Sequence, residues 1–314
     1  MANAYTSSTG NLAGTAGGAG LVQKAYDRLL DFALRSEPLI RSVADKKPTK
    51  LANPGSTVVL QLYADLSEQT TALTESTERD SVQIAAPTSV TITLAEYGNS
   101  VLVTRALELF SLADVDPAIA NIIAFNLAGS IDTVAQTELR GGTNVIYGGT
   151  RTNTVTIAAT DTITSANIRK AVAKLRSGLS VPRKGSMYWC GIHPEISHDL
   201  RAETGAGGWR LPHEYNSNEN IWAGEIGAYA GAYFVESARM FNDTDGASSA
   251  KVYRTILAGK EALAEAVAEE PHTVIGPVID HLMRFRPMGW YGVLGFKRYR
   301  EAALYRILNG SSVA

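Results

Sequence analysis

Cysteine is nearly absent. Cys190 is the only one in 314 residues, so no intramolecular disulfide can brace the fold and a reducing compartment suits the chain. Charge is also scarce. Asp, Glu, Lys and Arg make up 19% of the residues, below the roughly 25% of an average soluble domain. Weak self-repulsion favours a surface made to touch its own copies. The signs nearly cancel, 29 basic against 31 acidic, and the basic residues are scattered along the sequence. No global field therefore exists to grip nucleic acid, and DNA nearby is expected to be tolerated. No run of about 18 apolar residues occurs, so no membrane-spanning helix is expected. Residues 1–20 lack the basic start and apolar stretch of an export signal, so folding in the cytosol is expected.

The motifs of catalysis and ligand binding are missing too. His193 and His198 are five apart, not at the i, i+4 spacing that sets two imidazoles on one helical face for zinc. His193 precedes Pro194, which predicts a helix start. Cys190 lies in an apolar stretch, Met187-Tyr188-Trp189-Cys190, where a buried inert thiol is the ordinary outcome. Gly224, Gly227 and Gly231 do not form G-x-G-x-x-G, and Gly259-Lys260 lacks the rest of a phosphate loop. The Asn242–Gly246 cluster lacks the first and last ligands of a calcium loop. No catalytic, cofactor-binding or metal-binding residue is expected, and no cofactor.

What is present is an unusual order of elements. Residues 1–20 form a small, Gly-rich arm, followed by an amphipathic helix over Leu21–Ser36 that Pro38 ends. A strand is predicted at Thr57–Tyr63 and another at Val90–Leu94, with the extended pattern resuming at Ser100–Thr104. Between the first two lie 26 residues, Ala64–Ser89, rich in Thr, Ser and Glu and without helical period. Loops of that length inside compact domains are functional or disordered. As a hairpin, about 13 residues per arm at roughly 3.3 Å each would reach about 43 Å and need a neighbour to lie on. Asp116-Pro117 starts the best helix, with Ile119, Ile123, Leu127, Ile131, Val134 and Leu139 on one face and Gly141-Gly142 as its stop. A second helix is predicted at Ser165–Leu179, with Arg169, Lys170, Lys174 and Arg176 facing water, and a short one at Pro194–Arg201. Short strands follow from Met187–Cys190 to the C-terminal segments, with a Gly205–Gly208 loop near Trp209 and Trp222. The order is mixed, without regular βαβα alternation, which predicts an α+β fold.

Several short motifs in this order carry a resemblance. They include Val58-Val59-Leu60-Gln61-Leu62 with Asp65-Leu66, then Ala72-Leu73-Thr74-Glu75, and Glu96-Tyr97-Gly98-Asn99-Ser100-Val101. Further on come His193-Pro194 with Asp199-Leu200-Arg201, Gly224-Glu225-Ile226-Gly227 with Gly231, Val235-Glu236-Ser237, Gly259-Lys260-Glu261-Ala262, and Gly289-Trp290 through Gly295-Phe296. Together they resemble the capsid subunits of tailed bacteriophages with the Hong Kong 97-type fold, and more narrowly the subfamily named for the coliphage N-four capsid protein. The resemblance implies an N-terminal arm and helix at 1–36 and an extended loop with flanking strands at 57–104. It also implies a peripheral domain from 37–56, 105–142 and 249–314 around a spine helix at 116–140, and an axial domain at 143–248.

By the same resemblance the chain assembles with copies of itself. Hexamers and pentamers would close an icosahedral shell that matures from a procapsid and encloses double-stranded DNA, touched non-specifically at the inner face. Separate scaffolding, portal and cement proteins are the partners implied, with no membrane. Assembly is expected in the host cytoplasm and residence in the virion capsid. Some shells of this fold are cross-linked through a lysine on the extended loop, but no lysine occurs here between Lys50 and Lys170. The expected subunit contacts set Asp65, Glu68, Glu75, Glu78, Arg79 and Asp80 of the loop against Arg41, Arg284 and Arg286 of a neighbour. Two other readings stand beside this one: the shell protein of a cellular nanocompartment of the same fold, or a soluble enzyme with a site near Cys190, His193 and Trp209.

Overall fold

The computed structural model describes residues 39–47, 56–76, 78–110, 115–203, 225–278 and 280–313. The arm and helix expected over 1–36, and the Gly205–Gly208 loop with Trp209 and Trp222, lie outside them. The strands are β1 Ala44–Lys46, β2 Thr57–Leu62, β3 Thr88–Thr93, β4 Ala95–Thr104, β5 Val145–Tyr147, β6 Tyr188–Ile192, β7 Glu225–Tyr229, β8 Ala232–Glu236, β9 Asn242–Asp243, β10 Val252–Ala258, β11 Leu263–Ile275, β12 Phe285–Arg298 and β13 Leu304–Asn309. The helices are α1 Arg105–Phe110, α2 Val115–Arg140, α3 Ser165–Ser177 and α4 Pro194–Ala202. Helices and strands mix without βαβ alternation, an α+β architecture.

Two compact units divide the chain. The larger holds 39–100, 123–274 and 289–313 of the described residues, and its centre is a sheet in the order β5-β13-β10-β6-β8-β7, with β9 paired to β10. Both faces of that sheet are covered. Tyr188, Cys190, Ile192, Tyr253, Leu257 and Ile307 face Ile168, Val172 and Leu175 of α3 and Ile196 and Leu200 of α4. Trp189, Ile256, Ala258 and Leu304 face Ile131, Ala135 and Leu139 of α2. Successive residues point to opposite faces, which is why β6 is buried at every position. The sheet takes β10 and β13 from beyond residue 248.

Helix α2 begins at Val115, one residue ahead of the expected start, and ends at Arg140 before Gly141-Gly142. Its orphan carbonyls are met from the side: Arg298 Nη1 donates to Glu138 O at 2.8 Å, and Arg306 Nη1 to Arg140 O. Two cations therefore sit at the negative end of the helix dipole. Ahead of β1, the turn Ile40–Val43 is fastened to the same helix. Asp132 accepts from Ile40 N at 2.6 Å and Arg41 N at 3.2 Å, and its burial pushes the carboxyl above the usual carboxylate range.

A second sheet runs β1-β11-β12-β4, and β2 pairs with β3 in register from Thr57 opposite Thr93 to Leu62 opposite Thr88. That hairpin is rooted by Ile92 and Leu94 against Ala264 and Ala266, with Val58, Leu60 and Val293 packed around them. β3 passes so close to β12 that a Cβ on Gly295 would collide with the Thr93 carbonyl oxygen and come within 3.0 Å of Ile92 Cγ2. Gly295→Ala should therefore push the hairpin off β12 and cost about 1–3 kcal/mol. Urea unfolding measures this, and an unchanged midpoint would mean the hairpin is not anchored there.

The smaller unit holds Val101–Ile122 and Ile275–Met288. Its helix α1, unforeseen from the sequence, is capped by Thr104, whose Oγ1 accepts from Leu107 N at 3.2 Å. Arg105 N donates to Arg284 O at 2.9 Å, and Gly276 N to Pro287 O at 2.9 Å.

Candidate assembly surface

Between the paired ends Leu62 and Thr88 the described residues form no ladder, and from Tyr63 to Ser89 all of them are exposed. Exposure extends to large apolar side chains: Leu73 is 75% accessible, and Tyr63, Leu66, Val82 and Ile84 are all more than half so. Single exposed apolar residues are common, whereas here five fall within one 25-residue stretch. Asp65, Glu68, Glu75, Glu78 and Asp80 bring five negative charges to the same strap. Its one cation, Arg79, donates to Gln69 Oε1 across the loop.

The basic partners named from the sequence are placed differently. Arg41 donates to Glu265 at 2.9 and 2.7 Å and to Glu270 at 3.0 Å, so its charge is committed within its own chain. Glu265 is only 1% exposed and lies at the centre of this arrangement. Arg284 and Arg286 belong to the smaller unit. Arg284 Nε donates to Asp280 at 2.6 Å, and that guanidinium holds the Asp280 carboxyl below the usual carboxylate range. Arg286 lies half-buried in β12.

Sequence reasoning missed two further features. A cleft of about 640 Å³ opens beside the loop root, lined by Leu62, Tyr63, Thr88, the turn Gly178–Val181, Lys260, Glu261 and Tyr299–Ala303. Leu179 stands at its rim, 90% exposed and at φ 53°, a backbone region costly for a leucine. In the smaller unit, Leu107, Leu109, Phe110, Ile122, Ile275, Leu282 and Met283 are all exposed, Phe110 at 86%. The sequence signal for this patch is the apolar run Leu107–Phe110, broken only by Glu108.

The residues singled out for chemistry have structural duties. His193 caps α4, its Nδ1 accepting from Glu195 N at 3.3 Å, and burial lowers its pKa. Cys190 is fully buried, and desolvation pushes its thiol far up. In the Asn242–Gly246 turn, Asp243 and Asp245 each hold Arg254 Nη2 at 2.9 Å. Among the described residues no three His, Cys, Asp or Glu side chains gather in a metal-binding group, and no helix is long and apolar enough to cross a membrane.

The family model for "Phage capsid protein" matches residues 41–305. No curated protein sequence matches the chain. Among solved structures, the capsid of Ralstonia phage GP4 superposes with a TM-score of 0.75 at 18% identity, covering 92% of this chain and 95% of that one. The capsid of cyanophage Pam1 gives 0.73 at 15% identity, over 94% and 98%. The head of Helicobacter pylori bacteriophage KHP40 gives 0.71 at 14%, over 92% and 96%.

Proposed function

The chain belongs to the phage capsid protein family, and on that footing we propose that it is the major capsid protein of a tailed phage, closing hexamers and pentamers into an icosahedral head around double-stranded DNA. The observation that carries the reading is the 25-residue segment Tyr63–Pro87, exposed at all of its described residues and bearing five large apolar side chains. Such a strap is unfavourable on a solitary subunit and useful only when another copy covers it. A ring of like subunits meets this need head to tail, each copy offering its loop in one direction and receiving one from the other.

The chain falls in the subfamily named for the coliphage N-four capsid protein. The α3/α4-covered sheet forms the axial domain, with β10 and β13 returning into it from the peripheral one, and α2 is the spine. Separate scaffolding and portal proteins, and cement proteins where present, join the assembly in the host cytoplasm before the shell becomes part of the virion. The loop acids Asp65, Glu68, Glu75, Glu78 and Asp80, with Arg79, are the contact residues. The cleft beside the loop root and the apolar patch around Phe110 are further surfaces for neighbouring copies. Arg284, whose pair with Asp280 is on the surface with the arginine 55% exposed, and Arg286 are basic candidates on the receiving copy.

Purified full-length protein, or particles from infected cells, should sediment as megadalton shells visible by electron microscopy. With no lysine between Lys50 and Lys170, those shells should run on a denaturing gel as a single band at the monomer mass. A stable monomer at all concentrations would remove the capsid reading, and a ladder of covalent multimers would remove the non-covalent one. Shells that enclose enzymes in place of nucleic acid would point instead to a nanocompartment.

A further inference from the structure

Helix α3 has one face it cannot hide and no evident use for. Its sequence, SANIRKAVAKLRS, contains four cations and no anion. Ile168, Ala171, Val172 and Leu175 are buried against the central sheet, which fixes the helix about its axis. Arg169, Lys170 and Lys174 are thereby held outward and exposed. Arg176 is also exposed but lays its guanidinium beside Gly231 of the β7–β8 turn, and none of the four pairs with a carboxylate among the described residues. The carboxylate that adjoins the helix, Glu203, is engaged at its N-terminus, accepting from Ser165 N at 2.7 Å.

The helix's own stability accounts for only part of this. Lys174 and Arg176 lie in the last turn, where cations suit the dipole. Arg169 and Lys170 do not, and Lys170 repels Lys174 at i, i+4. An anionic partner would relieve that repulsion.

Resting on the reading that this chain forms a DNA-filled head, we propose that the exposed face of α3 is a contact surface for the phosphate backbone of double-stranded DNA. From Arg169 to Arg176 the helix rises about 10 Å, a length over which duplex DNA carries roughly six phosphates. Four cations can thus all find partners. Within the helix the other exposed residues are Ala166, Ala173 and Ser177, with no aromatic or branched apolar anchor before Leu179 beyond its C-terminal end. A protein partner would want such an anchor, whereas a phosphate backbone does not. The helix supplies four of the chain's 29 basic residues within eight positions, a count that suits sequence-independent contact, not tight grip.

The test is fluorescence anisotropy with a duplex of about 20 base pairs and the full-length chain, comparing the native protein with one in which Arg169, Lys170, Lys174 and Arg176 are all changed to Gln. Four phosphate contacts predict a log–log salt slope of about −3.6, hence an affinity falling about 150-fold between roughly 50 and 200 mM salt. The variant, checked for native circular dichroism, should lose most of that slope. Equal duplex binding by both proteins, or no duplex binding by the native one, overturns the proposal. So does loss of polyglutamate binding with duplex binding intact, which would assign the face to an acidic protein. Sedimentation of both proteins reads the underlying function separately. If neither forms particles the capsid reading fails whatever the anisotropy shows; if only the variant fails, the face is a subunit contact and the DNA proposal falls.

Discussion

Replacing Tyr63–Pro87 with an Asn-Gly turn leaves a folded subunit that no longer closes shells. The graft is geometrically mild, because Leu62 and Thr88 already face each other as the last pair of the β2–β3 ladder, and a two-residue turn joins such a pair with the right twist. The hairpin root, Ile92 and Leu94 on Ala264 and Ala266, is untouched. What is lost is everything the strap offers a neighbour. At about 1 kcal/mol for each of five partly covered apolar side chains, each subunit contact forfeits roughly 5 kcal/mol, more than a thousandfold in association. Sedimentation and microscopy read the loss of particles, and thermal unfolding of the subunit should be nearly unchanged. Shells of normal yield would show the loop to be dispensable. An unfolded variant would show it packing on its own chain.

Arg41→Met produces the largest expected loss within the subunit. Glu265 is 1% exposed, and its carboxylate is held by Arg41 at 2.7 Å. Removing the guanidinium strands a buried negative charge at a cost of about 3 kcal/mol. For a domain of this size that lowers Tm by roughly 6–12 °C. Glu270, more than half exposed, adds little to the effect. The companion variant carrying Arg41→Met and Glu265→Met should recover most of the stability, since an apolar pair of similar volume often replaces a buried ion pair without loss. If the double variant is no better than the single, Glu265 is not the stranded group.

Much of the fold was legible from residue patterns. Helix α3 declares itself through Ile168, Val172 and Leu175 at helical spacing, with Thr164 as a ready cap whose side chain accepts from Asn167 N. His193-Pro194 announced the start of α4, and Gly141-Gly142 the end of α2. The exposed loop was visible as a long stretch without period. What escaped is non-local. Sheet order depends on which strands meet, and β10 pairs β13 on one edge, with partners such as Tyr253 and Asn309 56 residues apart, and β6 on the other, with Ala258 and Trp189 69 residues apart. The assignment of Arg41 escaped for the same reason. Its partner Glu265 is 224 residues away, and nothing in the local sequence marks that carboxylate as buried. Helix α1 is too short, at six residues, for periodicity to separate it from a strand.

The position of β13 bears on how the subunit is made. It lies inside the central sheet, between β5 and β10, and supplies Leu304 and Ile307 to the two opposite cores. A polypeptide still on the ribosome and short of residue 304 has β5 and β10 facing an empty slot, with Tyr253 and Leu257 bare along one side. Synthesis must deliver Leu304–Asn309 before the subunit can take its final form. Prematurely terminated products therefore lack the strand that joins β5 to β10, and with it the Leu304 and Ile307 contacts to the cores beneath α2 and α3.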